Sequence, residues 1–210
     1  MMSIVDERPR QRRIGDLSMP DYPALIEDWN SFFSSIFGET MTDTIGWFSR
    51  PRGLTYDIIV PEWMTLELVL KALESCMQVQ NGLGNEETYE LTHQRDPYRH
   101  MSYAVWHIGN ESPDANLMGM HGMELHEQKI VTLTLIEYLL FHLHYFVRHE
   151  WRFHPDARTK SLCAGTENTL GNIPLAYWDG KKLVLTIASP CPQTRDMNTG
   201  ARMAYASPYV

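Results

Sequence analysis

Cysteine is scarce. The 210 residues hold three, Cys76, Cys163 and Cys191, an odd number with no CxxC pair. That argues against a disulfide scaffold and for a reducing compartment. Long apolar runs are lacking too. The strongest candidate, from Thr132 onward, is interrupted by Glu137, His142, His144 and Arg148, too often for a membrane span of about 20 residues. No apolar leader core stands at the N-terminus, so no signal peptide is expected and the location is cytoplasmic by default. Basic charge is also short: 18 Lys and Arg against 26 Asp and Glu leave a net charge of −8. A general nucleic-acid or anionic-membrane surface is therefore not expected on the body. Internal repeats and low-complexity tracts are absent, as are P-loop, GxGxxG and Ser/His/Asp patterns. What is present is a globular composition, 43% hydrophobic and 21% charged, at the upper end of one domain.

Residues 1–17 form an arm carrying Arg8, Arg10, Arg12 and Arg13, read as a solvated tail or an arm folded onto the acidic body. Residues 18–210 read as one α+β domain. Pro20 to Phe37 predicts a helix capped by Ser18 or Asp21, with Trp29, Phe32 and Phe33 on a broad apolar face. GETMTDTIGWFSRPRG is loop-like, and LTYDIIV reads as a strand. Pro61 then opens a second helix, closed by Asn81-Gly82, in which Cys76 is expected to be a buried thiol. TYELTHQ and HMSYAVWHIG predict strands joined by Arg95-Asp96-Pro97-Tyr98. The stretch Glu124 to His154 is the most strongly organised, with Leu133, Ile136, Leu140, Leu143, Val147 and Trp151 at helical spacing. Leu139, Phe141, Tyr145 and Phe146 make that helix apolar on nearly every side, so it is the expected central core helix.

After Pro155 the period changes to two. SLCAG predicts a strand, ENTLGN a loop, and IPLAYW-DG-KKLVLTIAS a hairpin with a two-residue turn at Asp179-Gly180. That turn would set Trp178 opposite Lys181, Ala176 opposite Leu183 and Pro174 opposite Leu185. These residues and Ile187 form a core face. The opposite face carries Ile173, Leu175, Tyr177, Lys182, Val184, Thr186 and Ala188, fewer polar residues than a solvated sheet face usually shows. Either a further layer covers it or it is a binding surface. A last strand is expected at ARMAYA.

Histidines offer the only sign of chemistry. MHGMELHEQK sets His121, Glu124 and His126 close together, with His142, His144, His149 and His154 downstream. The spacing is neither HExxH nor HxxEH, and a metal centre needs three or four convergent ligands with a second shell. The bland reading, surface and core histidines, is preferred; no catalytic residue, metal or cofactor is assigned.

RDPYRHMSYAVW, LTLIEYLLFHLHYF, SLCAG, IPLAYWDGKKL and the closing GARMAYAS, with a fainter likeness over DLSMPDYPALIEDW, together resemble the variable proteins of diversity-generating retroelements. In that family a reverse transcriptase rewrites adenine-templated codons near the C-terminus, and a C-type-lectin-like fold displays the varied side chains to a ligand. The resemblance implies a variable region at about 163–206. Varying the adenines of an AAC codon cannot yield Lys, Glu, Gln, Met or Trp, so Glu167, Trp178, Lys181, Lys182, Gln193 and Met197 would be scaffold. Asn168, Leu170, Asn172, Leu175, Tyr177, Asp179, Thr186, Ala188, Ser189 and Cys191 have reachable side chains. Leu175, Tyr177, Thr186 and Ala188 are also on the apolar outer face of the hairpin, with Lys182 as an invariant rim residue.

The expectation is thus a C-type-lectin-like α+β fold with long core helices packed on antiparallel strands and a C-terminal β-hairpin. The expected function is non-enzymatic binding of an unknown ligand, a protein or other macromolecule, through the C-terminal face. The runner-up is a metal-dependent enzyme centred on His121, Glu124, His126 and His149. A third reading is an assembly protein whose basic arm docks on a neighbour's acidic surface.

Overall fold

Aromatic residues at helical spacing start the architecture. Helix α1 (Tyr22–Phe37) buries Trp29, Phe32 and Phe33 and ends at Gly38, whose φ of +74° suits a residue without Cβ. The computed structural model describes residues 22–42, 54–84, 91–93 and 101–206. The arm 1–17, the caps expected at Ser18 and Asp21, most of the GETMTDTIGWFSRPRG loop and the Arg95-Asp96-Pro97-Tyr98 turn lie outside the described residues.

Strand β1 (Tyr56–Val60) leads to α2 (Leu66–Cys76). Pro61 does not open this helix. Its carbonyl accepts from the Met64 N–H in a turn, and Thr65 is the N-cap, its side chain accepting from the Leu68 N–H at 3.2 Å. Nor does Asn81-Gly82 close it. The helix stops at Cys76, which is half-buried, and Val79–Asn81 form β2, paired parallel with a C-terminal strand. Gly82 instead permits a close approach: its N–H meets the Leu185 carbonyl oxygen at 2.8 Å, and an added Cβ would sit 2.9 Å from that oxygen.

β3 (Leu91–His93) pairs with β6 (Thr166–Asn168), which takes in the first two residues of the stretch ENTLGN expected to be a loop. β4 (Tyr103–His107) is the centre of an antiparallel sheet, between β1 and the short β10 (Tyr205–Ala206). After β4 come a 3-10 turn (Ala115–Leu117), the short α3 (Gly122–Glu127) and α4 (Leu135–Arg148). α4 is the buried core helix: every residue from Leu135 to Phe146 except Ile136 is buried. It is shorter than its periodicity implied, because Thr134 caps its start in a capping box with Glu137 and Trp151 lies beyond its end, exposed. Three of the four polar residues that interrupt its apolar run are buried with partners, while Arg148 is exposed and paired with Asp28 at 2.5 Å. Glu137 accepts from the Tyr103 hydroxyl (3.1 Å) and the Thr134 N–H (2.8 Å). His144 Nδ1 meets the Tyr56 hydroxyl at 2.6 Å, and His142 Nε2 lies 3.2 Å from His154 Nδ1.

β5 (Lys160–Leu162), β7 (Ile173–Trp178), β8 (Leu183–Ala188) and β9 (Thr199–Ala201) complete a five-stranded sheet in the order β2-β8-β7-β5-β9. This sheet is mixed, not antiparallel as expected, since β2 with β8 and β5 with β9 are parallel pairs. The hairpin register also differs. Trp178 pairs with Leu183, Ala176 with Leu185 and Pro174 with Ile187 across a four-residue loop. The cause is Asp179, whose carboxylate accepts from the N–H groups of Lys181 (2.9 Å) and Lys182 (2.8 Å) and folds both into the turn. A shift of two residues leaves the two faces unchanged, because side chains alternate with period two.

The larger core takes buried residues from Trp29 to Ala204 and includes Ala176, Leu183 and Leu185 of the hairpin. A smaller cluster of Leu117, Leu125, Leu162, Ile173 and Ala201 forms on the other side of the sheet. Beneath β5 lies a buried ionic group. The Arg202 guanidinium donates to Asp156 (3.0 Å), Ser161 (3.1 Å) and the carbonyls of Asn110 (2.6 Å) and Glu111 (3.1 Å). Asp156 also accepts from Tyr138 (2.8 Å), Ser161 (2.7 Å) and Thr159 (2.9 Å).

Candidate functional site

The hairpin separates two environments. On its inner face Ala176, Leu183 and Leu185 are fully buried, and Trp178 stacks on His154 at 3.4 Å and 7°. The other face of that histidine stacks on Phe146 at 4.3 Å. Burial holds His154 neutral, its pKa lowered to about 4, and lowers that of His142 to about 3.

On the outer face Ile173 and Val184 are buried, whereas Leu175, Tyr177, Thr186 and Ala188 are half-buried. Part of this face therefore has its further layer. α3 packs on it so closely that a Cβ at Gly122 would fall 1.9 Å from Ile173 Cδ1. Beside that contact the cover stops and leaves a recess of about 170 Å³. Leu162, Leu175 and Ala188 are among its apolar lining. Gly119, Met120 and His121, leading into α3, form one wall, and Ser189, Pro192, Thr194 and Arg195 form another.

Charged groups at the mouth are already paired. Lys160 Nζ donates to Asp196 at 2.9 Å, and Arg195 is ion-paired with Glu124. Asp196 also accepts from the Asn198 N–H (3.0 Å) and the Thr199 hydroxyl (2.9 Å). The Lys160 bond, then the Asn198 one, holds its carboxyl below the usual range. Lys160 further lies 5.6 Å from the centre of the Tyr177 ring.

The ten reachable positions do not converge on one place. Leu175, Ala188 and Ser189 line the recess. Thr186 pairs directly with Leu175, Tyr177 follows two residues along the same face, and Cys191 is exposed in the adjoining loop. Asn168 is buried, its side-chain oxygen accepting from the N–H groups of Leu170 (3.0 Å) and Asn172 (2.9 Å). It shapes a turn whose tip, Leu170, is 69% exposed and whose last residue, Asn172, is partly exposed; none of the three lines the recess. Asp179 lies at the far end of the hairpin, about 20 Å along the chain direction of β7 from Ile173, with its carboxylate engaged in the turn. Those two backbone bonds hold its carboxyl below the usual range.

The histidine set of the metal reading is divided. His121 and Glu124 are the two members of the capping box of α3, with Glu124 also engaged by Arg195. His126 is exposed on the same short helix, and His149 caps the end of α4, its ring 4.2 Å from that of Tyr145 and tilted by 39°. Among the described residues, no three His, Cys, Asp or Glu side chains gather as a metal site requires.

Lys160, Arg195, Asp196, Met120 and Leu162 were not singled out from the sequence as site residues. Only the turn signal of Asp196-Met197-Asn198-Thr199-Gly200 marked part of this rim. Among the described residues no helix is long and apolar enough to cross a membrane. No protein-family model, curated protein or solved structure matches this chain.

Proposed function

We propose that this chain is a non-enzymatic ligand-binding protein, that the outer face of the β7–β8 hairpin is its binding surface, and that a retroelement diversifies the side chains there on a C-type-lectin-like scaffold. The observation that carries the reading is the recess. It opens on the outer face of the hairpin, where Leu175, Tyr177, Thr186 and Ala188 are half-buried, and three of the reachable positions, Leu175, Ala188 and Ser189, line it. Alternation along β7 and β8 lets those side chains change while Ala176, Leu183 and Leu185 stay in the core. Tyr177 and Thr186 suit an adaptable binding face, one as a rigid aromatic contact and the other as a small polar one.

The nucleotide sequence of the locus tests this directly. A near-copy of the segment encoding about 163–206 is expected, differing from it only at adenines of the copy. Differences should fall at codons such as Leu175, Thr186 and Ser189 and spare Trp178 and Lys181. A locus without such a copy overturns the diversification.

A further inference from the structure

We infer that the recess is an anchor hole for one uncharged aromatic side chain, Phe or Tyr, of a protein partner; this rests on the outer face being the binding surface. Size carries the first step. Free small-molecule ligands of drug size occupy roughly 300–1,000 Å³, well above the 170 Å³ found here. An apolar cavity of about 150 Å³ takes one benzene ring. The recess therefore fits a single ring and is too small for a free ligand of drug size, so the ring is assigned to something larger that rests on the surface around it. That surface is present. Met197 is 66% exposed and lies against Gly119 of the wall, where an added Cβ would be 2.8 Å from its sulfur. A flexible thioether at the mouth adapts to different partners.

Charge carries the second step. Both cations of the rim are paired, Lys160 with Asp196 and Arg195 with Glu124. A charged anchor would have to break one of those pairs above an apolar floor, whereas a neutral ring leaves both intact and places its face near two cations. Among the residues that dominate interface energies, Trp, Tyr and Arg, the charge argument removes Arg, and a recess close in volume to a benzene-binding cavity matches the single ring of Tyr more closely than the fused rings of Trp. Tyr remains, with Phe as its deoxy counterpart.

The experiment uses the full chain and two probes. In the first, p-cresol is titrated while the methyl resonances of Met120, Leu162, Leu175 and Ala188 are followed. Saturable shifts confined to these methyls are expected, lost in Ala188→Leu, with benzylamine and phenylacetate binding at least about tenfold more weakly. Leu175→Trp is a second, independent filling, and each filled variant is read only where its melting matches the parent. Scattered or non-saturating shifts, or equal binding of a charged analogue, overturn the inference. In the second, random displayed peptides are selected on the chain. Enriched peptides are expected to share a Phe or Tyr whose change to Ala weakens binding by about 30-fold, the effect of a 2 kcal/mol anchor, with a similar loss in Ala188→Leu. Peptides that bind the outer face without such a residue overturn the anchor while leaving the binding surface standing. Saturable p-cresol binding in a chain whose locus holds no template copy would keep the anchor and remove the diversification.

Discussion

Arg202→Met tests the buried ionic group on which the C-terminal stretch depends. Arg202 is 1% exposed and Asp156 fully buried, and their closest contact is 3.0 Å. The guanidinium also makes three other hydrogen bonds and lies 4.9 Å from the centre of the Phe141 ring. Met fills much of the same volume but leaves the Asp156 carboxylate buried without its counter-charge, strips the Asn110 carbonyl of its guanidinium donor and leaves the Glu111 carbonyl with only the Asp156 N–H. Breaking a buried pair in this way costs about 3–5 kcal/mol, against a typical total stability of about 5–15 kcal/mol. The companion variant is Asp156→Asn, because Asp156 has φ +57° and Asn is among the few residues that accept the left-handed region. The double variant no longer buries a lone carboxylate. Its cost should fall short of the sum of the two single costs by about 0.5–3 kcal/mol. Urea unfolding followed by tryptophan fluorescence measures all three. An Arg202→Met cost under about 0.5 kcal/mol, or strict additivity in the cycle, would refute the account of this group as a coupled, desolvated unit.

Two further outcomes follow from burial. Leu183→Asp puts an unpaired charge in the core and should abolish cooperative thermal unfolding, while Thr186→Asp on the outer face should change stability by no more than about 0.5 kcal/mol; equal damage from both would mean the outer face is covered like the inner one. Stability should also fall on mild acidification. Burial lowers the pKa of His107, His142, His144 and His154, to about 3 for His142 and about 4 for His154. Unfolded histidine takes up its proton near pH 6.5, so the unfolded chain binds more protons below that value. The stabilisation is complete above pH 6.5 and is lost as pH drops toward 4. His107 and His142, the most strongly shifted of the fully buried ones, each contribute a slope of about 1.4 kcal/mol per pH unit; His144, which Asp28 pulls the other way, and half-exposed His154, which water screens, contribute less. Urea midpoints that stay level from pH 7 to 5 would contradict this.

Helix positions and face assignments were legible because they rest on period alone. α1 and α4 announced themselves through apolar spacing, and the hairpin faces kept their identity although the pairing register was off by two. What stayed hidden depends on single side chains acting on the backbone. Asp179 turned a two-residue loop into four residues by accepting two N–H groups, which a DG signal alone does not reveal. Val79–Asn81 joined a sheet because its parallel partner β8 lies about a hundred residues away in the chain, beyond the reach of a local pattern. The recess was invisible for the same reason: its walls come from the segment before α3, from β5 and from the loop after β8. Buried Glu137, His142 and His144 read as breaks in an apolar run, since a sequence does not display the tyrosine, backbone and histidine partners that make their burial tolerable.

Under the diversification proposal, these contacts mean that the reachable positions cannot be equivalent. Codon arithmetic admits Asn168 and Asp179 as freely as Leu175 or Ser189, and it admits Arg202 as well. Physics does not. Changing Asn168 removes the acceptor of two turn N–H groups, and Asp179 is the acceptor that sets the hairpin loop, so variation at either acts on the shape of the hairpin rather than on what it touches. Arg202 is excluded by its burial with Asp156. Leu175, Tyr177, Thr186, Ala188, Ser189 and Cys191 carry none of these duties: among the described contacts, only the Ser189 hydroxyl holds a backbone group, the Cys191 N–H at 3.3 Å, in an exposed loop. Those six lie on one face or in the loop that continues it. A diversifying process that preserves folding should therefore concentrate its surviving changes there, although the codon rule alone predicts no such bias. That bias, read from the frequency of substitutions at each position in many copies of the locus, would arise from backbone hydrogen bonds and buried charge, independently of what the protein binds.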